Sequence, residues 1–274
     1  MSFCRFSRGV FGASGFFFDF FAAARYDKNM SNFDKNSILS LPYPLRLSHK
    51  EETTSTNDDM KAAAREGAPD FTLIVADRQT AGKGRLGRSF FSEGGLYMSL
   101  LLPYREETFR LLTHAAAVAV AEAIAELTGE DALIKWVNDV YVDGKKVCGI
   151  LSESVDVGTR RPIVGIGVNL NTPQQAFPAE IAGIAASVNA DRSMLVKSIL
   201  SHLLPLYLDG EKQEIQKRYR ALSLLNGKSV LVQKQNDCRT ATVLDLTDDL
   251  ALSVLYEDGS REDLIAADVS LRLV

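Results

Sequence analysis

Cysteine, histidine and tryptophan are all scarce in this chain: three, three and one among 274 residues. Cys4, Cys148 and Cys238 are odd in number and far apart, so they make no disulfide framework, and a reducing, cytoplasmic setting fits them better. His49, His114 and His202 lack the spacing of a metal-binding set, and packing or surface roles are expected for them. No apolar run approaches the ~20 residues that a membrane span needs. Positive charge is missing overall, since the formal net charge is −4 and gives no general attraction to nucleic acid. The remaining composition, 46% hydrophobic and 24% charged, is ordinary globular material, enough for one large domain or one with a small satellite.

Residues 1–44 differ in texture from the rest. Three phenylalanines, Asp19 and two more phenylalanines precede Ala22-Ala23-Ala24 and a polar stretch. Arg5 and Arg8 imitate the basic start of a signal peptide, but Asp19 interrupts the apolar core, and a poorly ordered extension is expected instead. Met30 begins a more typical polar lead-in, and a start codon placed too early would account for what precedes it. Beyond residue 44, helical and strand patterns alternate. Ser55-Thr56-Asn57 supplies N-cap side chains for a helix that stops at Gly67 and Pro69, and a longer helix is expected from Thr108 to Gly129. Residues 133–137 read as a strand. Residues 140–142 and 146–151 form a hairpin across Asp143-Gly144, and residues 163–168 form a central strand. A helical region over 194–225, interrupted at Pro205 and Asp209-Gly210, gives way to short strands around residues 229–232, 241–244 and 252–255. The expected fold is α+β, a mixed and mostly antiparallel sheet with helices, followed by a small β-barrel-like unit.

Three segments carry chemistry. Gly82-Lys83-Gly84-Arg85-Leu86-Gly87-Arg88 follows the apolar run Leu73-Ile74-Val75-Ala76, and its glycines and cations suit phosphate or carboxylate oxygens. Its spacing matches neither the phosphate loop nor the dinucleotide fingerprint, and a solvated basic turn is the plain alternative. Lys135-Trp136-Val137-Asn138-Asp139 gathers a cation, an aromatic ring, an amide and a carboxylate at a strand end, although Asn-Asp is also ordinary turn material. Asp139 could help hold hydrated Mg²⁺ against phosphates. Lys146 opens a strand that otherwise reads as buried, where a ligand carboxylate would supply its counter-charge, and Gly149 lets a flat ligand approach the backbone.

In combination these residues resemble the biotin protein ligases. The family's Gly-Arg-Gly-Arg-x-Gly-Arg loop corresponds to Gly82 through Arg88 after Gln79-Thr80-Ala81, and its Lys-Trp-Pro-Asn-Asp motif to Lys135 through Asp139. Gly144-Lys145-Lys146-Val147-Cys148-Gly149-Ile150-Leu151, Gly165-Ile166-Gly167-Val168-Asn169-Leu170-Asn171 and Ser55-Thr56-Asn57 complete five motifs in the family's order. The chain departs at Lys83 and Val137, where arginine and proline are usual, and at Phe90, where tryptophan is frequent.

The resemblance implies a class II synthetase-like catalytic domain over 45–225 and an SH3-like domain over 226–274. It implies ATP and biotin as substrates with Mg²⁺, biotinyl-5′-AMP as intermediate, and a biotin carboxyl-carrier protein or domain as acceptor. Lys146, Arg85 and Arg88 would be catalytic. Ser55, Thr56, Asn57, Gln79, Gly82, Arg85, Tyr97, Lys146 and Gly149 would bind biotin. Lys83, Arg85, Arg88, Asn138, Asp139 and Asn169 would serve ATP, with Asp139 toward the metal. No DNA or membrane partner is expected, because residues 1–44 do not pattern as a winged helix-turn-helix, and pairing of two chains is left open. A lipoate or octanoate ligase or transferase of the related fold, a bifunctional ligase-repressor and a non-catalytic binder are the alternatives.

Overall fold

The computed structural model describes residues 33–88, 90, 94–234, 237–265 and 270–273. Chain contacts divide the molecule into Met1–Phe33 and Asp34–Val274, and all the described strands and helices belong to the second unit. The signal-like stretch lies outside the described residues. Within the stretch expected to be poorly ordered, α1 (Lys35–Leu39) is capped by the Asp34 carboxylate, which accepts from Ser37 N, and it buries Ile38 completely. Part of the stretch expected to be a poorly ordered extension, residues 35–39, is thus a capped helical turn with one buried isoleucine.

A seven-stranded sheet is built from β1 (Arg46–Thr53), β2 (Thr72–Gln79), β3 (Leu96–Leu101), β4 (Ala132–Lys135), β5 (Asp139–Val142), β6 (Lys145–Asp156) and β7 (Arg160–Val168). The strands lie in the order β1-β2-β3-β7-β6-β5-β4, so β7 is the middle one, as its apolar run suggested. Only β1 and β2 pair in parallel; every other neighbouring pair is antiparallel. Asp143 and Gly144 both take positive φ, 49° and 73°, in the tight turn between β5 and β6 that Asp-Gly signalled. β4 stops at Lys135, leaving Trp136, Val137 and Asn138 in the turn to β5.

Helix α2 (Thr56–Arg65) starts at Ser55, whose hydroxyl accepts from Asp58 N, and packs on β2, β3 and β7. The expected helix from Thr108 is two: α3 (Glu106–Phe109) and α4 (Leu112–Thr128). Thr108 is tied to Tyr207 O by its hydroxyl, and Leu111 N turns back to Thr108 O, which breaks the run. α4 is apolar around most of its circumference because it lies between β4, β5, β6 and β7 and the later helices. It ends at Gly129 in the left-handed conformation. α5 (Ala179–Ala182) is a single turn, α6 (Arg192–Leu208) packs on α4, and α7 (Lys212–Ala221) follows. Pro205 does not interrupt α6. It sits one turn from the end, so the one bond it cannot donate falls to the exposed Ser201, and the helix stops at Asp209-Gly210 instead.

The second sheet comprises β8 (Ser229–Gln233), β9 (Cys238–Leu246), β10 (Leu252–Tyr256), β11 (Arg261–Leu264) and β12 (Ser270–Leu273), all antiparallel in the order β11-β10-β9-β8-β12. Among the described residues no pairing of β11 with β12 closes it into a barrel. No helix among the described residues is long and apolar enough to cross a membrane.

Candidate functional site

A cavity of about 180 Å³ lies over the middle of the large sheet, between the start of α2, the basic loop and the turn after β4. Its floor is bare backbone. Gly149 of β6 faces Gly167 of β7 across the ladder, and Gly165 lies two residues back on the same face of β7. The Phe90 ring covers this floor: a Cβ on Gly149 would fall 2.9 Å from Phe90 Cε2, and one on Gly167 2.9 Å from Phe90 Cε1. Tyr97 supports Phe90 edge-on, with ring centroids 6.3 Å apart.

One wall is a hydrogen-bonded network at the start of α2. Gln79 Oε1 accepts from Thr56 N at 2.8 Å and from Thr56 Oγ1 at 3.1 Å. Ser99 Oγ lies 2.8 Å from Thr56 Oγ1 and donates to Asn57 Oδ1 at 2.6 Å. Asn57 Nδ2 donates to Glu153 Oε2 at 2.8 Å and Leu151 O at 3.2 Å, so the whole amide is occupied. A Cβ on Gly165 would meet Asn57 Oδ1 at 2.2 Å; only glycine admits this network to the sheet face.

The opposite end is cationic. Among the described residues, Lys83, Arg85, Arg88, Lys135 and Lys146 line the cavity against one carboxylate, Asp139, in a chain whose formal net charge is −4. Lys146 Nζ lies 2.7 Å from Asp139 Oδ1 and 5.7 Å from the Phe90 ring centroid, a cation–π distance. Arg85 donates to Asn138 Oδ1 at 3.3 Å, while Asn138 Nδ2 donates to Ile150 O at 2.8 Å. Burial lowers the Arg85 guanidinium from its ordinary value and Asp139 opposes that, so it stays charged at neutral pH. The loop closes on itself through Gly84 N to Arg88 O and Phe90 N to Gly82 O. Lys83 leans outward to Asp58 of α2 at 2.5 Å, and that hydrogen bond raises its ammonium. Trp136, on the cavity wall, donates from Nε1 to Leu250 O at 2.8 Å, and Val137 O accepts from Tyr219 Oη at 3.1 Å.

Eleven of the fourteen residues expected at the site line this one cavity: Ser55, Thr56, Asn57, Gln79, Lys83, Arg85, Arg88, Asn138, Asp139, Lys146 and Gly149. Three lie elsewhere. Gly82 is buried at the base of the loop, with its carbonyl taken by Phe90 N, and Tyr97, paired with Gly167 across β3 and β7, stands beside the floor with its ring edge-on to Phe90. Asn169 Nδ2 donates to Ala186 O at 2.9 Å and Lys146 O at 3.5 Å, which fastens the 184–188 segment beside the start of β6. The floor glycines 165 and 167 had no assigned role. Two glycines spaced by two in an otherwise β-branched strand were the available signal of close approach. Among the described residues no group of three or more His, Cys, Asp or Glu side chains could hold a metal ion.

Residues 50–171, which contain every described residue lining the cavity, match the Biotin/lipoate A/B protein ligase family. The bifunctional ligase/repressor BirA of Bacillus spizizenii is 31% identical over 82% of this chain and 74% of its own length. The biotin--[acetyl-CoA-carboxylase] ligase of Mycobacterium tuberculosis is 31% identical over 66% of this chain and 72% of its own. The structure of the Aquifex aeolicus biotin protein ligase, solved in complex with biotin and ATP, superposes with a TM-score of 0.71 at 29% identity, covering 85% of this chain and all of that one. With the glycine floor, the α2 network and the cationic end each formed by the motif residues, the chain belongs to the biotin protein ligase family.

Proposed function

We propose that this chain joins biotin to a lysine of a biotin-carrier protein or domain at the expense of ATP, through biotinyl-5′-AMP. The observation that carries the reading is one cavity with a glycine floor under the Phe90 ring, a polar wall at the start of α2 and five lining cations. In the first step a biotin carboxylate oxygen bonds to the α-phosphorus of ATP and pyrophosphate leaves. In the second, the acceptor's ε-amine attacks the acyl carbon, an amide forms, AMP leaves and the amine proton passes to solvent.

Both reactants of the first step are anions, and their approach needs fixed positive charge. Lys146 supplies it at the carboxylate by exchanging Asp139 for the ligand. Arg85 and Arg88 hold phosphate oxygens, with Arg85 already turned inward by Asn138. Lys83, held by Asp58, contributes charge from the rim. Ser55, Thr56 and Gln79, with Asn57 bracing them through Ser99, orient the ureido ring, which takes the place of the Phe90 ring over Gly149 and Gly167 when that ring moves aside. Asn138 and Asp139 serve the nucleotide. A single carboxylate fits a Mg²⁺ ion that phosphate oxygens and water mainly hold, so Asp139 would share it, and the ion would neutralise phosphate charge. Asn169 acts at one remove, by fixing the backbone that presents Lys146. Residues 45–225 carry these groups, and 226–274 form the second domain.

The test is purified protein with ATP, Mg²⁺, biotin and a carrier domain, followed by mass spectrometry of the acceptor. Biotin on one lysine, with AMP and pyrophosphate released in equal amounts, is expected. Attachment of lipoate or octanoate in its place would overturn the reading.

A further inference from the structure

Asn138 in the turn after β4 is held by Arg85 and Ile150, but β4 itself, Trp136 and Val137 are bonded to residues that come much later in the chain. Ile134 N donates to Leu222 O at 2.7 Å and Leu224 N to Ile134 O at 2.8 Å, so the segment after α7 runs as an extra partner along β4. Tyr219 Oη holds Val137 O. Trp136 goes further and reaches the second sheet, donating to Leu250 O in the turn between β9 and β10.

That turn is rigid. Leu250 takes φ 57° and is buried, and Thr247 and Leu250 bond back across residues 247–251. α7 grips it from the other side: Gln216 Nε2 donates to Asp248 O, and Arg220 donates to Leu246 O at 2.9 Å and Thr247 O at 3.0 Å. An indole N–H is a donor only, and leaving it without an acceptor in a buried place is costly. Trp136 is buried while its ring still forms part of the cavity wall. Any displacement of the 247–251 turn therefore moves a wall residue two positions from Asn138.

We propose that Trp136 is a positioning residue through which the second sheet sets the nucleotide side of the cavity. This rests on the reading that Asn138 and Asp139 serve ATP. Among the described residues the floor and the α2 wall have no comparable tie to the second sheet, so the effect is confined to ATP and spares biotin.

Trp136 is the sole tryptophan of the chain, so biosynthetic replacement of tryptophan by β-(3-benzothienyl)alanine changes that residue alone, keeping its shape and deleting its N–H. Loss of one hydrogen bond predicts a rise of about fivefold in KM for ATP, with KM for biotin within about twofold. Equal rises in both constants, or no change in either, would overturn the proposal. Arg220→Ala, which loosens the turn and leaves the indole intact, provides the second arm: the same split in KM and a red shift of the Trp136 emission are expected, and an unshifted spectrum with normal KM for ATP would count against it. ATP binding to the unsubstituted protein is read from the same fluorescence. An ATP-dependent change without biotin transfer would overturn the ligase reading and support this inference, whereas no ATP-dependent change would overturn the inference itself.

Discussion

Gly165→Ala adds one methyl group where the structure has least room for it. The new Cβ would lie 2.2 Å from Asn57 Oδ1, 2.8 Å from its Cγ and 2.9 Å from its Nδ2, so no small rotation relieves the clash. Asn57 is buried and its amide must leave, which breaks the bonds from Ser99 Oγ and to Leu151 O and Glu153 Oε2. Three hydrogen bonds at about 1 kcal/mol each, with about 1–2 kcal/mol of overpacking strain, give roughly 4–5 kcal/mol. For a chain of this size that lowers Tm by about 10 °C, read by circular dichroism or differential scanning fluorimetry. Because Ser99 also contacts Thr56, the loss spreads to the biotin-side wall, and KM for biotin rises as well. The cause is isolated by a double-mutant cycle with Asn57→Ala, which removes the obstructing amide: the double variant should be more stable than the sum of the single changes by about 2 kcal/mol or more. Strict additivity, or a Gly165→Ala protein within about 1 kcal/mol of wild type, would refute the reasoning.

Three further outcomes are expected. Lys146→Gln removes the charge at the carboxylate and should slow adenylate formation about 10²-fold or more while leaving the fold intact; pyrophosphate release at the wild-type rate would contradict the role. Arg85→Gly deletes a charged contact worth about 1.5–3 kcal/mol, so the adenylate should escape the protein roughly 10–100 times faster, measured by its retention on gel filtration. His114 packs edge-on against Tyr219, and burial lowers its imidazole from 6.5 to about 4. The unfolded chain therefore takes the proton first as pH falls, and stability present above pH 6.5 is lost between 6.5 and about 4, by about 3 kcal/mol. His114→Phe keeps the ring and removes the titration, so its Tm should be flatter over that window; parallel curves for the two proteins would exclude His114 as the cause.

Local signals carried much of this structure. The Asp143-Gly144 turn, the Ser55 cap, the Gly129 terminus and the central strand are each fixed by a few neighbouring residues, and the cationic and glycine motifs meet in one cavity as their types implied. Less legible was whatever depends on distant pairing. β1 alternates weakly because it is an edge strand with charges on both faces, and β3 is buried throughout, so neither shows a clean period. Asn169 and Asn57 look alike as polar site residues, and both spend their amides on protein partners, yet only Asn57 lines the cavity wall. Phe90 over two glycines, and Gly165 beneath Asn57, emerge only once β6, β7 and α2 are side by side.

The link between Trp136 and Leu250 also has a consequence for synthesis, because 114 residues separate the two. A ribosome adding about 5–20 residues per second delivers the carbonyl roughly 6–23 s after the indole. From the addition of Lys146 onward, the growing chain holds every cationic residue that lines the cavity and an indole donor whose acceptor has not been made. A product terminated between residues 171 and 250 would keep all five motifs and still lack the contact that seats one of them.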